Sequence, residues 1–378
     1  MAHFTHVIAL FLSVVLTILA ASHQAPLVSD PAQAQEPAKR AALSPSEISE
    51  LRTKAVAGDA IAQTALGRAY RTGDGVPHSD QTAAEWFRKA ADQGNADAEN
   101  SLGTMYAFGD GVERNKENAV SWYRKAAKHG SGAAMFNLGA AYYNGDGVDI
   151  DDDASCAWFL LAQEAGYAAA DEAVSRATFE NAKVPIRAFE KIGAMYASGA
   201  ELPKNASSAL KWYRRAADDG SREASVAVAS ILAAGPHPTE EEFAEARRRC
   251  EQAANHSYAP AAYCMALIYR RGLGVAKDPI ETAKWLARAA DLGHAQATLQ
   301  LGEAYWKGDG VKPDLVTAYM WIWLAYNSKL AGAGEDEEAI RKQMNPKDID
   351  NAKRRAGDWV NSHRLVLGVA PARPSAPK

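Results

Sequence analysis

The densest group of potential ligand atoms is the acidic run from Asn144 to Asp153, which reads Asn-Gly-Asp-Gly-Val-Asp-Ile-Asp-Asp-Asp. Clustered carboxylates in a loop can bind calcium through their oxygen atoms. The spacing here does not fit the twelve-residue calcium loop, and no glutamate stands at its end. We therefore predict a solvated acidic loop that opens the following helix, and no metal site.

Other catalytic signatures are missing from the sequence. The nine histidines are scattered, and neither His-Glu-x-x-His nor Cys-x-x-Cys occurs. The recurring Gly-Asp-Gly-Val loops are not followed by Gly-Lys-Ser/Thr, so they do not predict a phosphate cradle. No Gly-x-Ser-x-Gly elbow offers a nucleophile. We expect a protein that is not an enzyme and that has no cofactor and no small-molecule substrate.

Charge and composition narrow the class of partner. The 378 residues carry a formal net charge of −4, whereas nucleic acid selects a basic footprint. Alanine is abundant and β-branched residues are sparse after the first twenty positions, which favours helix. These features predict an all-helical protein that does not bind nucleic acid.

The N-terminus has the features of an export signal. The apolar run from Val7 to Ala21 has the length of a signal core and is short for a membrane span, which needs about 20 apolar residues. Small residues follow at Ala20-Ala21-Ser22 and at Ala32-Gln33-Ala34, and either could mark cleavage. No Lys or Arg precedes the run, so an uncleaved anchor stays open as the alternative. We expect a periplasmic or secreted protein that meets the membrane only through this segment.

A repeat of 36 residues organises most of the chain. The pattern Leu-Gly-x-x-Tyr-x-x-Gly-Asp-Gly-Val begins at Leu66, Leu102 and Leu138, and each leucine is followed after 20 residues by Trp and after 28 by Gly. The frame returns at Ile192, Met265 and Leu301. A degenerate unit lies between them, around Val228, which gives seven units in total.

Each repeated position has a physical reason. Leu and Tyr lie on one helical face, and the Gly beside the Leu allows close approach of a second helix. The Gly-x-Gly-Val segment ends the first helix with a left-handed cap. Asp80 is placed to cap the second helix. The Trp-aromatic-Arg-Lys stripe is the buried face of that helix, so we expect each conserved tryptophan in the core, and its basic pair lies near the helix end, where the dipole favours positive charge. Each unit is a helix–loop–helix that buries its apolar face only by stacking on its neighbours.

The pattern resembles the Sel-1-like repeat family, which is related to the tetratricopeptide repeats. The family motif A-x-x-x-L-G-x-x-Y-x-x-G-x-G-V…A-x-x-W-Y-x-x-A-A-x-x-G matches Ala62 to Gly94 and Ala98 to Gly130, and the resemblance extends from about Ala55 to Ala325. It implies an all-α fold, a right-handed α-solenoid (superhelix) of helix–loop–helix repeats. It also implies binding of protein partners, often in exported bacterial proteins of signalling or host interaction.

The breaks in the period predict the domain organisation. From Leu138 to Ile192 is 54 residues, one and a half periods, and Gly235-Pro-His-Pro238 replaces one Gly-x-Gly-Val loop. The predicted segments are a signal peptide (1–24), a linker (25–43), a first repeat array (44–166), an irregular helix (167–184), a second repeat array (185–330), capping helices (331–366) and a tail (367–378).

The chain has three cysteines, at positions 156, 250 and 264, and this small, odd number does not predict a disulfide framework. Related cysteine-rich repeat proteins staple their helix pairs, and Cys250 and Cys264 lie at similar heights beside a turn. However, Cys250 replaces an inward aromatic such as Phe87, whereas Cys264 replaces residues such as Ser101 that we place mostly on an outward face. Opposed side chains cannot be bridged without backbone movement, so the register disfavours this disulfide without excluding it.

The partner-binding surface is predicted from the resemblance. In tetratricopeptide-like stacks the first helix of each unit lines the concave face, at positions two before and two, five and six after the conserved Leu. The aromatic, basic and amide residues at these positions are the types that interface hot spots favour or that can hydrogen-bond a partner. They are Arg68, Arg71, Phe108, Phe136, Tyr143, Asn144, Tyr263, Arg270, Arg271, Trp306 and Lys307. The alternative for each is packing against a neighbouring helix.

The sequence therefore predicts an exported scaffold that regulates or assembles an envelope or signalling process by holding a protein partner. Two alternatives stay open. One is a secreted or surface factor that binds a host protein, and the other is an assembly factor for envelope polysaccharide or peptidoglycan. The partner's identity cannot be predicted from the sequence.

Overall fold

The computed structural model describes residues 42–179, 184–235 and 238–363. The predicted signal peptide and tail, the predicted linker up to residue 41, and Pro236 and His237 of the irregular loop lie outside these residues. Within them the chain forms eighteen helices and no strand, which confirms the all-α prediction. No helix among them is both long enough and apolar enough to cross a membrane.

The helices follow one another through short loops. They are α1 (Pro45–Val56), α2 (Ala60–Thr72), α3 (Asp80–Ala91), α4 (Ala96–Phe108), α5 (Lys116–Lys128), α6 (Gly132–Asn144), α7 (Asp152–Glu164), α8 (Ala170–Phe179), α9 (Val184–Ser198), α10 (Ala206–Asp218), α11 (Arg222–Ala233), α12 (Glu240–Asn255), α13 (Ala259–Arg271), α14 (Pro279–Asp291), α15 (Ala295–Lys307), α16 (Leu315–Asn327), α17 (Ala333–Arg341) and α18 (Pro346–Ser362).

Within each part of the chain, consecutive helices pack as pairs and neighbouring pairs stack, which is consistent with a repeat solenoid. The chain divides into two compact units, residues 1–212 and 213–378, which are called unit 1 and unit 2 below. In unit 1, α8 is an additional helix between α7 and α9, where the sequence predicts an irregular helix. In unit 2, α17 and α18 follow the last repeat, where the sequence predicts capping helices.

The loop glycines end the first helix of a pair as predicted. Gly73, Gly109 and Gly145 adopt φ between 73° and 86°, and each donates its backbone N–H into the last turn. The start of the second helix differs in one detail. Ser79 accepts from the backbone N–H of Thr82 and is the N-cap of α3, so Asp80 lies in the first turn and is not the cap.

The two helices of a pair interlock through a glycine and a bulky side chain. A β-carbon at Gly103 would lie 2.7 Å from the ring of Tyr123, and one at Gly139 would lie 2.6 Å from the ring of Phe159. No real β-carbon sits that close to another atom, so only glycine allows the second helix to approach this far. The glycine beside the conserved leucine therefore has the role predicted for it.

The residue after the conserved tryptophan, and not always the tryptophan itself, is the buried one. Phe87 and Tyr123 are 0% and 1% exposed, whereas Trp86 and Trp122 are half-buried. Lysines lie over the outer faces of both tryptophan rings, with Lys125 Nζ 3.8 Å from the Trp122 centroid. The prediction that every conserved tryptophan belongs to the core is therefore wrong for these two. It is correct for Trp158, which is 0% exposed.

At two places in unit 1 the arginine of the Trp-aromatic-Arg stripe links one repeat to the next. Arg88 donates to the hydroxyl of Tyr106, and Arg124 donates to the hydroxyl of Tyr142, 18 residues further along the chain. The conserved tyrosine of one repeat thus accepts from the second helix of the repeat before it. The sequence indicated only a favourable charge near the helix end, because the partner lies in another repeat.

Cys250 and Cys264 form a disulfide, with their Cα atoms 6.0 Å apart. The sequence argument against this disulfide was wrong in placing Cys264 on an outward face. The positions equivalent to Cys264 are not outward: Ser101 and Asn137 are each 1% exposed, buried among neighbouring helices. Because Cys264 points into the same interface as Cys250, the bridge between α12 and α13 needs no backbone movement.

Candidate functional site: the first-helix surface

In unit 1, three of the predicted surface residues lie at helix surfaces and already have neighbours. Arg68 donates to the carboxylate of Asp97 at 2.8 Å. The guanidinium of Arg71 lies 6.0 Å from the centroid of the Phe87 ring. Phe108 is 47% exposed at the end of α4 and is an accessible apolar residue.

Phe136 does not belong to the surface. It is 5% exposed, and its ring lies 5.2 Å from the rings of both Phe159 and Tyr167. In this repeat the position two before the conserved leucine faces the neighbouring helices, so the ring of Phe136 lies in the core. Tyr143 and Asn144, at the end of α6, are half-buried.

The acidic run at the end of α6 is used for helix capping and ion pairing. Asp151 is the N-cap of α7 and accepts from the backbone N–H of Ala154 at 2.9 Å. It also accepts from Lys191 at 2.9 Å, and its pKa is lowered by this bond and by the backbone donors even though burial opposes the shift. No group of three or more His, Cys, Asp or Glu in the described part of the chain could hold a metal ion.

In unit 2 the first helices α11 and α13 face each other across a groove, here called the apolar groove, with α12 as its floor. Its volume is about 310 Å³. Small residues of α11, Ala229 and Ala233, form one wall, and Tyr263 and Leu267 of α13 form the other. Arg271, at the C-terminal end of α13, lies at the rim and is exposed.

A second groove, here called the charged groove, lies one repeat further along, between α13 and α15 with α14 as its floor. Its volume is about 220 Å³. Arg270 and Lys307 line it together with Glu303 and Asp309. Lys307 pairs with Glu303 at 3.2 Å, so part of this charge is neutralised internally.

The two grooves occupy the same positions of successive repeats. Leu267 and Glu303 are 36 residues apart, and so are Arg271 and Lys307. The other equivalent pairs are Cys264 and Gln300, Ile268 and Ala304, Leu273 and Asp309, and Phe243 and Pro279. The basic residue is common to both grooves, whereas the apolar lining of one is replaced by charged residues in the other.

Two of the predicted aromatic residues, Tyr263 and Trp306, pack against neighbouring residues of the fold and are not fully exposed. Tyr263 stacks on His294 with ring centroids 4.3 Å apart, and its hydroxyl accepts from Gln300 at 3.0 Å. Trp306 donates from its indole nitrogen to Gln343 at 3.3 Å. Both are half-buried against the core of unit 2. Of the five predicted residues in unit 2, Arg270, Arg271 and Lys307 are the exposed ones.

His294 lines the apolar groove and also caps α15. Its Nδ1 accepts from the backbone N–H of Ala297 at 3.2 Å, which requires a neutral ring with the proton on Nε2. Burial lowers the pKa of His294 below its ordinary value, and a positive charge at a helix N-terminus is unfavourable. The histidine is therefore neutral at pH 7.

Sequence reasoning overlooked Leu267, which forms the centre of the apolar groove wall. It lies two after the conserved-leucine position, where other repeats carry Arg68, Thr104, Ala140, Ala194 and Glu303. None of these repeats carries a large apolar residue there, so the leucine was the signal, but only aromatic, basic and amide residues were selected.

More than half of the chain matches the model of the Sel1 repeat, at residues 60–95, 96–131, 132–167, 190–221, 259–294 and 295–327. The chain therefore belongs to the Sel1 repeat family. The unmatched segment between 221 and 259 contains α11 and α12, the degenerate unit. Sel1 repeats suggest a scaffold for protein–protein interaction, and the family is typically non-catalytic.

Solved structures of the same family are similar to this chain. A protective antigen of uropathogenic Escherichia coli with the SLR fold is 29% identical, with 88% of this chain and 76% of the antigen covered and a TM-score of 0.44. A Sel1 repeat protein from Oxalobacter formigenes is 28% identical, with 78% and 80% covered and a TM-score of 0.38. No curated protein matches the sequence.

Proposed function

We propose that this chain is an exported, non-catalytic scaffold that holds a protein partner on the first-helix surface of unit 2. In this way it regulates or assembles an envelope or signalling process. The observation that carries the proposal is the pair of equivalent grooves. Positions that hold the fold keep a large apolar residue, such as Leu66, Ile192 and Met265, whereas the groove positions differ in chemistry from one repeat to the next.

Residues that build only the fold are constrained in the same way in every repeat, because each repeat packs on an equivalent neighbour. A change from Leu267 to Glu303 at one repeat position does not follow from that constraint. It is expected where each repeat meets a different part of a bound partner. The exposed cations Arg270, Arg271 and Lys307 add the residue types that interfaces favour.

Export is supported by two independent features. The run from Val7 to Ala21 has the composition of a signal core. The disulfide between Cys250 and Cys264 is a bond that persists mainly in oxidising compartments such as the periplasm. A reporter that is active only outside the cytoplasm, fused after Arg40, is expected to be active. A silent reporter at normal expression would contradict export.

The binding function is tested by affinity capture of the exported chain from an envelope extract, comparing two charge-reversal variants. Arg270→Glu with Lys307→Glu reverses the charge of the first-helix surface, and Lys284→Glu reverses an exposed charge on a second helix, α14. We expect a partner that is recovered by the wild type and by Lys284→Glu but lost with the double variant. Equal recovery by all three proteins would move the interface away from the first helices.

A further inference from the structure

We propose that the apolar groove binds a partner segment in which one apolar side chain is flanked by carboxylates. This inference rests on the proposed scaffold function and names the chemistry that one of its grooves selects. The ligand is a short acidic stretch of a protein, with its apolar side chain between α11 and α13 and its carboxylate at the rim.

The lining of the groove explains the apolar part. The walls are the methyl groups of Ala229 and Ala233 on one side and the side chains of Leu267 and Ile268 on the other. Phe243 of α12 contributes to the floor. Removing apolar surface from water is favourable by about 25 cal/mol per Å², so the groove favours an apolar side chain over water. Its volume of about 310 Å³ is at the lower end of the range for ligand sites, which suits one side chain and its backbone.

The charge at the rim explains the acidic part. Among the described residues, no Asp or Glu lines the apolar groove and Arg271 has no carboxylate partner. In the charged groove the equivalent Lys307 is paired with Glu303, which occupies the position of Leu267. The apolar groove thus has the cation without an internal anion. A ligand carboxylate beside the apolar side chain would replace that anion, and arginine binds carboxylates with two parallel hydrogen bonds.

The groove is held in shape before a partner arrives. Cys264 is part of its wall, and the disulfide to Cys250 ties α13 to the floor helix α12. The stack of Tyr263 on His294 fixes the same wall from the side of α15. A preformed groove loses less conformational entropy on binding, which favours recognition of a short segment.

The test uses the full chain with methyl labelling and three peptides. The probe is acetyl-Gly-Glu-Leu-Glu-Gly-amide, and the matched controls replace its Leu with Ser or both Glu with Lys. Titration up to about 10 mM covers the weak affinity expected of so short a ligand, for which a Kd of about 1 mM corresponds to roughly −4 kcal/mol. We expect the Leu267 and Ile268 methyl resonances to shift with the probe, at an affinity at least about tenfold above that of either control.

Two variants locate the effect. Leu267→Glu introduces the residue that the charged groove carries at the same repeat position, so the fold has a precedent for it, and it should abolish the shifts of the Ile268 methyl. Arg271→Gln changes an exposed side chain and should remove the preference for Glu over Lys flanks while the Leu requirement stays. If Leu267→Glu fails to fold, Arg271→Gln and the three peptides on the wild-type chain still decide the question.

Several results would overturn the proposal. They are no shift with the probe, equal affinity for the Ser peptide or the Lys peptide, unchanged binding in Arg271→Gln, or shifts caused by decanoate where the peptides cause none. The last result would indicate a lipid ligand. A partner captured through Arg270 and Lys307 with no peptide response would refute this chemistry and leave the scaffold function standing. A peptide response without any captured partner would support this chemistry and contradict the scaffold function.

Discussion

The glycine interlock within a repeat makes a quantitative prediction at Gly302. A β-carbon there would lie 2.6 Å from Cγ1 of Ile322, 3.0 Å from the Ile322 backbone nitrogen and 3.1 Å from the carbonyl oxygen of Ala318. Two of these three atoms belong to the backbone, so a rotamer change of Ile322 alone cannot relieve the contact. Gly302→Ala must therefore separate α15 from α16 or strain both helices.

The expected size follows from two opposing terms. Alanine in a helix interior is about 1 kcal/mol more favourable than glycine. Overpacking a tight core costs about 1–3 kcal/mol, and the backbone contacts at Gly302 place the cost at the upper end. We expect Gly302→Ala to lower the free energy of unfolding by about 1–2 kcal/mol, because the steric term exceeds the gain in propensity.

The matched control lies in the same unit. Gly357 is inside α18, and nothing lies within 4 Å of a β-carbon built on it. Gly357→Ala therefore keeps the propensity term without the steric one and should raise stability by about 0.5–1 kcal/mol. Chemical denaturation of unit 2, followed by circular dichroism and by amide exchange in α15 and α16, measures both changes.

A double-mutant cycle separates the steric cause from others. Ile322→Ala removes the Cγ1 atom and, at 0% exposure, should cost about 2–5 kcal/mol by itself. In that background Gly302→Ala should cost less than it does in the wild type, which is a coupling between neighbours. If Gly302→Ala and Gly357→Ala change stability equally, or if the two losses at Gly302 and Ile322 simply add, the interlock is not the reason for the glycine.

Four further substitutions test three other features. Tyr123→Ala should lower the free energy of unfolding by about 3–5 kcal/mol, and Trp122→Ala, at a half-buried ring, should cost less; denaturant unfolding of both variants gives the order. Cys264→Ser should cost about 3 kcal/mol for a closed loop of this length, and thermal unfolding of the wild type with reductant should match the variant. Burial lowers the pKa of His294 in the folded chain. The neutral ring that caps α15 is therefore fully present above the ordinary pKa of 6.5. Its contribution to the stability of the fold is lost as the pH falls through the pKa of the folded chain. His294→Asn, which copies the N-cap Asn95 of α4, should keep the cap and remove that part of the acid loss in a pH series of Tm.

Each of these predictions has a contrary result. A loss at Trp122 equal to or above that at Tyr123 would show that the tryptophan is the main core residue. Reductant without effect on the wild type would show that the disulfide contributes nothing to stability. An unchanged acid profile in His294→Asn would place the acid sensitivity at other titrating groups.

The repeat architecture could be predicted from the sequence because its signals are local and recur. The pattern that begins at Leu66 fixes one helix face, one glycine cap and one close approach, and the same three constraints return along the chain. The degenerate unit around Val228 also folds as a helix pair, although its residues are not matched by the family model. Its second helix packs on α13 of the next repeat, and Arg249 pairs with Asp218 at the end of α10, so neighbouring helices constrain its position.

The errors come from contacts between repeats, which a pattern within one repeat does not contain. Phe136 and Cys264 lie at positions that seemed outward when a single pair of helices was considered, and the adjacent repeats bury them. The apolar groove was overlooked for a related reason. Leu267 becomes a wall only when the small residues Ala229 and Ala233 of the preceding first helix leave space opposite it.

The disulfide between Cys250 and Cys264 has a mechanical consequence. The cysteines are 14 residues apart and enclose the end of α12, a short turn and the start of α13. When the chain is pulled from its two ends, this segment cannot lengthen while the disulfide is closed. The contour length of the extended chain is therefore shorter by roughly 45 Å. Reduction releases that length, and a pulling record should show the difference as a single increment. The link between the degenerate unit and the next repeat is thus a segment that does not extend under tension while the disulfide is closed.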